Sequence, residues 1–380
     1  MYGMKNIEMV DLKSQYNNIR TEIDNAIQEV LDDTAFINGP QVKLFSSELS
    51  TYTGAKYVIP CANGTDALQI AMMALDFKPG DEVIVPAFTY IATVEVIALL
   101  GLIPIFIDVD EKTFNINVDD LESQITDKTV GIVTVHLYGQ CSNMEEILKI
   151  AELRSLKVIE DAAQSIGAIY SFSNGMKKQA GTMGDIGTTS FFPSKNLGCY
   201  GDGGAIFTND DLLANKIKMI ANHGQKVKYF HDSIGVNSRL DTLQASILRV
   251  KLKYLDEYST SRNRVAEKYD LSFRKLNKIV IPYRVSNSTH VFHQYTLKLY
   301  ESVNREEFKK YLNDKGIPSM VYYPMPLHLQ KAYLCYGGKK GQFPIAEKLC
   351  NTVISLPIHT EMDHEQQSYI IEQVLNYFYE

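Results

Sequence analysis

The stretch Gly187-Thr-Thr-Ser-Phe-Phe-Pro-Ser-Lys195-Asn-Leu-Gly-Cys-Tyr-Gly-Asp-Gly-Gly204-Ala-Ile-Phe-Thr208 organises the reading of this chain. An apolar run, Thr188 to Phe192, stops at Pro193. Lys195 follows. Then come Gly198, Gly201, Gly203 and Gly204, and a second apolar run, Ala205 to Thr208. The pattern predicts strand, tight loop, strand, with Lys195 at the tip of the first strand. A lysine held there among uncharged neighbours loses hydration. Desolvation favours its neutral amine, the form that attacks a carbonyl. A second stretch, Val158-Ile-Glu-Asp161-Ala-Ala-Gln164-Ser165, predicts another strand, ending in Asp161. A lysine that can form a Schiff base and an aspartate that can face a pyridinium nitrogen are the minimal apparatus of pyridoxal 5′-phosphate chemistry.

Outward from these two segments, short apolar runs recur at 57–60, 83–86, 104–108, 131–136, 157–160, 188–192 and 204–207. Helical patterns at 66–76, 91–100, 144–154 and 211–222 separate most of them. Strands alternating with helices predict an α/β fold with a large, mainly parallel sheet covered on both faces. Ligands of such sheets sit at the carboxyl ends of the strands. Asp161, Lys195 and His136 all fall at such ends. Asn63-Gly64-Thr65-Asp66 follows the first strand and opens a helix, a place where free amides and a Thr hydroxyl suit a phosphate, or where Asn63 is only a cap. Phe88, in Pro86-Ala-Phe88-Thr-Tyr90, follows a strand and can lie on a flat ring or in the core. Gln164, three residues beyond Asp161, can reach the same ligand.

The flanks read differently. Residues 11 to 31 predict one helix, with Ile19, Ile23, Ile27 and Leu31 at spacings of four, and Gln41 to Thr53 a second. From Asn237 to Tyr269 the pattern is one long helix with the seam Leu240, Leu243, Ile247 and Val250. Beyond about residue 270 the texture changes: strands over Val291 to Leu299 and Ser319 to Tyr323, helices over Arg305 to Leu312 and 364 to 378. The division expected is 1–250 for a large domain and 251–380 for a smaller α+β domain, consistent with 380 residues of which 45% are apolar.

Bulk properties narrow the function. Net charge is −7 with no basic tract, which argues against nucleic-acid and polybasic membrane binding. Five cysteines without a CxxC argue for a reducing compartment and against a disulfide frame or zinc site. No apolar leader is legible at Met1 to Glu8. The longest apolar run, Val96 to Ile107, is broken by Gly101 and Pro104 and too short to span a bilayer. A cytoplasmic protein is expected.

Four motifs in combination, Ala62-Asn-Gly-Thr-Asp-Ala67, Glu160-Asp-Ala-Ala-Gln164, Ser190-Phe-Phe-Pro-Ser-Lys195 and Gly235-Val-Asn-Ser-Arg-Leu240, resemble the sugar-nucleotide aminotransferases of the DegT/StrS type. The resemblance runs from Val10 to about Pro357. It implies the aspartate-aminotransferase-like fold (PLP fold type I) and pyridoxal 5′-phosphate as cofactor. It assigns the cofactor phosphate to Gly64, Thr65 and Ser190, the ring face to Phe88, the ring nitrogen to Asp161, the ring hydroxyl to Gln164 and the covalent link to Lys195. It implies a homodimer with shared active sites, Asn237 reaching the partner's cofactor phosphate. Substrates implied are L-glutamate and a nucleotide-linked ketosugar, with Tyr322 in the stretch that reaches the sugar. There the family often carries His directly before the Tyr-Pro pair, whereas this chain carries Tyr322, so no histidine contact to the sugar is implied. His328 is read as a surface histidine.

Within the family the look is that of the branch acting on UDP-linked 2-acetamido-3-keto sugars, including uronic acids. Arg239 is then placed to grip a sugar carboxylate, or else to pair with Asp241. The alternative acceptor is a dTDP- or UDP-linked deoxy sugar with a 3- or 4-keto group. A sugar dehydratase of the same family is disfavoured because histidine commonly replaces its lysine. An oxidoreductase built on Gly201-Asp-Gly-Gly204 is disfavoured because those glycines precede a strand instead of opening a helix. A catalytically silent homologue is opposed by the presence of both Lys195 and Asp161.

Overall fold

The computed structural model describes residues 6–379. Met1 to Lys5, the first part of the stretch read for a leader, lies outside them. The chain opens with helices α1 (Leu12–Asn18), α2 (Arg20–Asp33) and α3 (Pro40–Thr53). Then β1 (Tyr57–Cys61), α4 (Gly64–Ala74), β2 (Glu82–Pro86), α5 (Ala92–Leu99), β3 (Ile103–Ile107), β4 (Thr129–Val135), α6 (Met144–Arg154) and β5 (Lys157–Asp161) alternate. A small hairpin, β6 (Ile169–Ser171) and β7 (Lys177–Gln179), precedes β8 (Ile186–Ser190), β9 (Gly204–Thr208) and α7 (Asp211–Ile220).

These strands form a seven-stranded sheet in the order β1-β9-β8-β5-β4-β2-β3. Only β9 runs against its neighbours, β1 and β8. The expected mainly parallel sheet is the one observed. Alternation along a strand sends successive side chains to opposite faces. Val83 and Val85 join a core with α4, α5 and α7, while Ile84 joins α6 on the other face. Val58, Ala205 and Phe207 meet α3 and the later helix α8.

After a second exposed hairpin, β10 (Gln225–Val227) and β11 (Phe230–His231), come α8 (Thr242–Leu252) and α9 (Leu255–Phe273). The rest is β12 (Ile279–Val280), β13 (Tyr295–Leu299), α10 (Arg305–Asp314), α11 (Pro344–Thr352), β14 (Val353–Leu356) and α12 (His364–Tyr379). The strands β12-β13-β14 form an antiparallel sheet. It shares a separate core with α9, α10 and α12, around Tyr269, Phe273, Phe308 and Val374.

Several expectations are corrected. The helix over 11–31 is two helices, because the Ile19 N–H turns back to Tyr16 in a tighter bond and Ile19 leaves helical angles. The long helix from Asn237 is also two. Residues 237–241 are not helical, and the chain breaks again between Leu252 and Leu255. The reason is packing: α8 lies on α2 and α3, whereas α9 carries Val265, Tyr269 and Phe273 into the second core. The strand at Val291 starts only at Tyr295, since Phe292 takes a left-handed φ of 45°. The segment Ser319 to Tyr323 makes a single bridge, Met320 to Ser355, in place of a strand. Helix α11 and strand β14 are additions that the sequence pattern does not signal.

One buried carboxylate ties the strand ends together. Glu160, fully buried, accepts N–H bonds from Gly181 (2.9 Å), Met183 (2.6 Å) and Gly184 (2.6 Å). His136 also bonds it at 2.8 Å. The His136 Nδ1 accepts from the Ser142 N–H, so its proton lies on Nε2 and is donated to Glu160. Removing the carboxylate leaves three buried donors, and the half-buried Gly184 amide, without an acceptor. Glu160→Ala is expected to lose more than about 3 kcal/mol of unfolding free energy. Denaturant unfolding measures it, and a loss under about 1 kcal/mol would show the network to be dispensable.

Candidate active site

Sheet pairing brings three loops to one edge. Cys61 at the end of β1 lies opposite Gly204, and Gly204 lies opposite Ser190 at the end of β8. The approach is very close. A Cβ on Gly204 would lie 2.5 Å from the Asn63 carbonyl, and one on Gly64 would lie 2.8 Å from Cβ of Ser190. Both positions therefore require glycine. Helix α4 starts at Gly64. The Asn63 side chain accepts the Asp66 N–H at 2.8 Å, and its carbonyl accepts that of Ala67 at 3.1 Å. Neither bond uses the amides of Gly64 and Thr65. Those amides, at the positive end of an 11-residue helix and beside the Ser190 hydroxyl, form a cradle suited to a phosphate.

Asp161 closes β5 on the cleft side. Its Oδ2 accepts the Thr93 hydroxyl at 2.9 Å and its Oδ1 the Ala163 N–H at 3.1 Å. Each oxygen keeps a lone pair for a ligand. Lys195 lies near enough to feel that charge. It does not stand at the strand tip as expected. β8 ends at Ser190, because Pro193 has no N–H for the ladder, and Lys195 sits five residues on, in a turn. Its side chain is partly buried from the cleft. Burial lowers its amine from the ordinary lysine value to about 8, with Asp161 pulling in the opposite direction.

Aromatic side chains wall the space between. Phe88 is buried, with the ring of Tyr323 edge-on at 6.0 Å. The Gln164 Oε1 accepts the Tyr138 N–H at 2.7 Å, and its Nε2 donates to the Tyr323 hydroxyl at 3.1 Å. One amide N–H of Gln164 is left for a ligand. The Tyr138 hydroxyl bonds the Tyr322 carbonyl, so half-buried Tyr322 is held at the same rim. Nothing in the sequence singles these partners out. Thr93 and Tyr323 carry no distinguishing spacing, and only the fold brings them to Asp161 and Gln164. His293 escapes sequence reasoning for the same reason. It is buried, and burial first, then the charge of Lys195, hold its imidazole neutral.

Two predicted residues lie apart from this cluster. Asn237 is exposed, on a stretch that bridges Asn222. Its neighbour Ser238 accepts the Ala62 N–H at 3.0 Å, and alternation turns Asn237 to the other side. Arg239 pairs with neither Asp241 nor any other acid among the described residues. It lines a groove along edge strand β1 with Lys43, Lys56 and Lys218, and no acid lines that groove. His328 is not at the surface. It is fully buried, with Nε2 3.2 Å from Glu347.

The cluster can hold a carbonyl compound that carries a phosphate and a flat cationic ring. Pyridoxal 5′-phosphate fits the donor set, with amides and a hydroxyl for the phosphate, a carboxylate for the ring nitrogen and an amine for the aldehyde.

Comparison with known proteins agrees with this chemistry. A profile of the DegT/DnrJ/EryC1/StrS aminotransferase family matches residues 17–375. A Geobacillus stearothermophilus protein named "Pleiotropic regulatory protein" is 45% identical over 98% of this chain and 99% of its own. The UDP-2-acetamido-2-deoxy-3-oxo-D-glucuronate aminotransferase of Pseudomonas aeruginosa is 47% identical over 94% of this chain and 96% of its own. The solved structure of NtdA from Bacillus subtilis with bound cofactor PMP superposes with a TM-score of 0.91 at 34% identity, covering 100% of this chain and 86% of that one.

The lowered amine has a measurable sign. The neutral form reacts, and it predominates above the pKa. Coupling of Lys195 to added pyridoxal 5′-phosphate, followed by absorbance, is expected to rise through about pH 8 and not through the ordinary lysine range near ~10.4. Asp161 opposes the lowering, so Asp161→Asn should shift the midpoint to lower pH. A wild-type midpoint above about 10 would remove desolvation from the account.

Proposed function

This chain belongs to the DegT/DnrJ/EryC1/StrS aminotransferase family, and on that premise we propose that it moves the amino group of L-glutamate to a UDP-linked 2-acetamido-3-keto hexose or hexuronate. The observation that carries the reading is the desolvated Lys195 amine within the field of the Asp161 carboxylate, whose oxygens are held by Thr93 and the Ala163 amide. The substrate class is supported by the Pseudomonas aeruginosa relative and its name. The name of the Geobacillus relative allows a regulatory reading, which the presence of Lys195 and Asp161 disfavours.

Pyridoxal 5′-phosphate, when bound, supplies an electron sink for the pair left by breaking a C–H bond beside nitrogen. The chain's residues do the rest. Lys195 holds the cofactor through its amine. When free of the cofactor, that amine would take up and return the proton at the donor carbon. Asp161 would keep a proton on the ring nitrogen, its carboxylate held by Thr93 and the Ala163 amide. Gly64, Thr65 and Ser190 bind the phosphate. Phe88 would cover the ring, and the free N–H of Gln164 would be available to the ring hydroxyl. Tyr322 and Tyr323 border the sugar side and exclude water.

The same reading makes the enzyme a homodimer. The donors identified for the phosphate are the amides of Gly64 and Thr65 and the Ser190 hydroxyl, and Asn237 is exposed. A second copy's Asn237 completes the cradle. The chain then works as a large unit, 1–250, and a small one, 251–380, joined through α9. Five free cysteines suit a reducing cytoplasm, and no described helix is long and apolar enough to cross a membrane. The amino sugar made would serve surface polysaccharide or glycan assembly.

Two experiments test this. Mixing inactive Lys195→Ala with inactive Asn237→Ala subunits should restore part of the activity, because the hybrid has one intact site. No recovery, with subunit exchange verified, would count against sharing. For the acceptor, kcat/KM for a UDP-3-keto hexuronate is expected to exceed that for its 6-hydroxymethyl analogue, and the preference should shrink by about tenfold or more in Arg239→Lys, where the two-pronged grip is lost. Equal use of both sugars would remove the carboxylate contact. Turnover confined to 4-keto or dTDP-linked sugars would overturn the acceptor assignment.

A further inference from the structure

Lys251 is a charged side chain with almost no exposure, 1%. It lies on α8 and has no carboxylate partner among the described residues. Its Nζ donates to one acceptor, the Gly198 carbonyl, at 2.5 Å. The Tyr200 ring lies 5.4 Å from it. Burying an ammonium costs several kcal/mol after relaxation, and one carbonyl with one ring face offsets only part of that. A methionine of similar length would fill the same volume without the cost. Stability of the core therefore does not account for a lysine here.

What the ammonium grips does. Gly198 lies three residues beyond Lys195, inside a loop folded tightly on itself. The Cys199 N–H closes the loop on the Phe191 carbonyl at 2.8 Å. The Lys195 N–H donates to the Phe192 carbonyl at 2.8 Å. A Cβ on Gly198 would lie 2.4 Å from the Pro193 carbonyl. Moving Gly198 thus moves the backbone that carries Lys195. A second residue of α8 holds the same loop: the Gln244 Oε1 accepts the Tyr200 N–H at 2.8 Å. Gln244 and Lys251 are seven residues, two turns, apart and so share one face of the helix. On the far side the Asn196 side chain donates to the Val291 carbonyl at 2.9 Å.

We propose that Lys251 is a positioning residue for the reaction, its buried ammonium fixing the Gly198 carbonyl and with it the loop that aims the Lys195 amine. The inference rests on Lys195 being the lysine that holds the cofactor. A control keeps the two apart: if Lys195→Ala still forms the same absorbing adduct with pyridoxal 5′-phosphate as wild type, that reading fails, whatever Lys251 does.

The test uses the full-length protein, stripped of cofactor and reloaded with pyridoxal 5′-phosphate. Three quantities are read for wild type, Lys251→Met and Lys251→Gln: the coupling rate and apparent Kd by absorbance, the thermal midpoint of the stripped protein, and kcat and KM after reloading. In Lys251→Met, coupling should slow and Kd rise at least tenfold, and kcat should fall while the KM for glutamate stays within twofold. The thermal midpoint should hold or rise, because a buried charge has been replaced by an apolar chain. Lys251→Gln keeps one donor for Gly198 and should recover part of the lost coupling. Wild-type coupling and kcat in both variants would overturn the proposal. So would a lowered thermal midpoint in both with glutamine no better than methionine, since that marks a packing role.

Discussion

Three loop ends approach one another more closely than a methyl group allows. The Asn63 carbonyl, Gly204 and Ser190 meet where β1 and β8 finish and β9 begins, with Gly64 and Gly204 bare of side chains. The cradle proposed for a phosphate depends on that contact, because the α4 amides stand beside the Ser190 hydroxyl only when nothing separates the backbones. The rest of the cleft is built outward from it. The antiparallel strand β9 is the means, since it brings the return of the Lys195 loop back against β1.

The adjacent acids Glu160 and Asp161 show how a strand divides labour. Alternation sends the first into the protein, where three amides and His136 satisfy it fully, and the second into the cleft, where a hydroxyl and one amide leave it partly free. The inner carboxylate holds the 181–184 turn and the end of β4 in place. The outer one keeps capacity for a ligand. Neither arrangement is separable from the other, because the two residues share one backbone.

Buried cations recur around the lysine loop. Arg262 on α9, 2% exposed, donates to the carbonyls of Phe292 (3.1 Å), His293 (3.4 Å) and Ile358 (3.0 Å) and so pins the segment under Lys195. Lys251 on α8 pins the other side. Each spends desolvation energy on backbone carbonyls in irregular segments, which no strand ladder or helix satisfies.

Local chemistry is legible in the order of residues alone. Period-two and period-3.6 patterns mark the large sheet and its helices, and Pro193, the glycines and the acid-capped strand mark the site, because each records a backbone requirement at its own position. Asp161 and Lys195 are visible for that reason. Breaks in long helices are not. α1 parts from α2 at a local tighter bond on Ile19, and the seam of α8 with α9 continues across 252–255, where only the directions of two separate cores force the chain to turn. The same holds for Thr93, Tyr323, His293 and Lys251, ordinary residues in sequence that become partners of the site when the sheet closes. The sequence by itself determined the seven strands of the large sheet and the acid that ends β5. Tertiary structure alone decided how deeply the Lys195 amine is desolvated and what holds it there, because burial and hydrogen bonding are properties of neighbours brought together from distant parts of the chain.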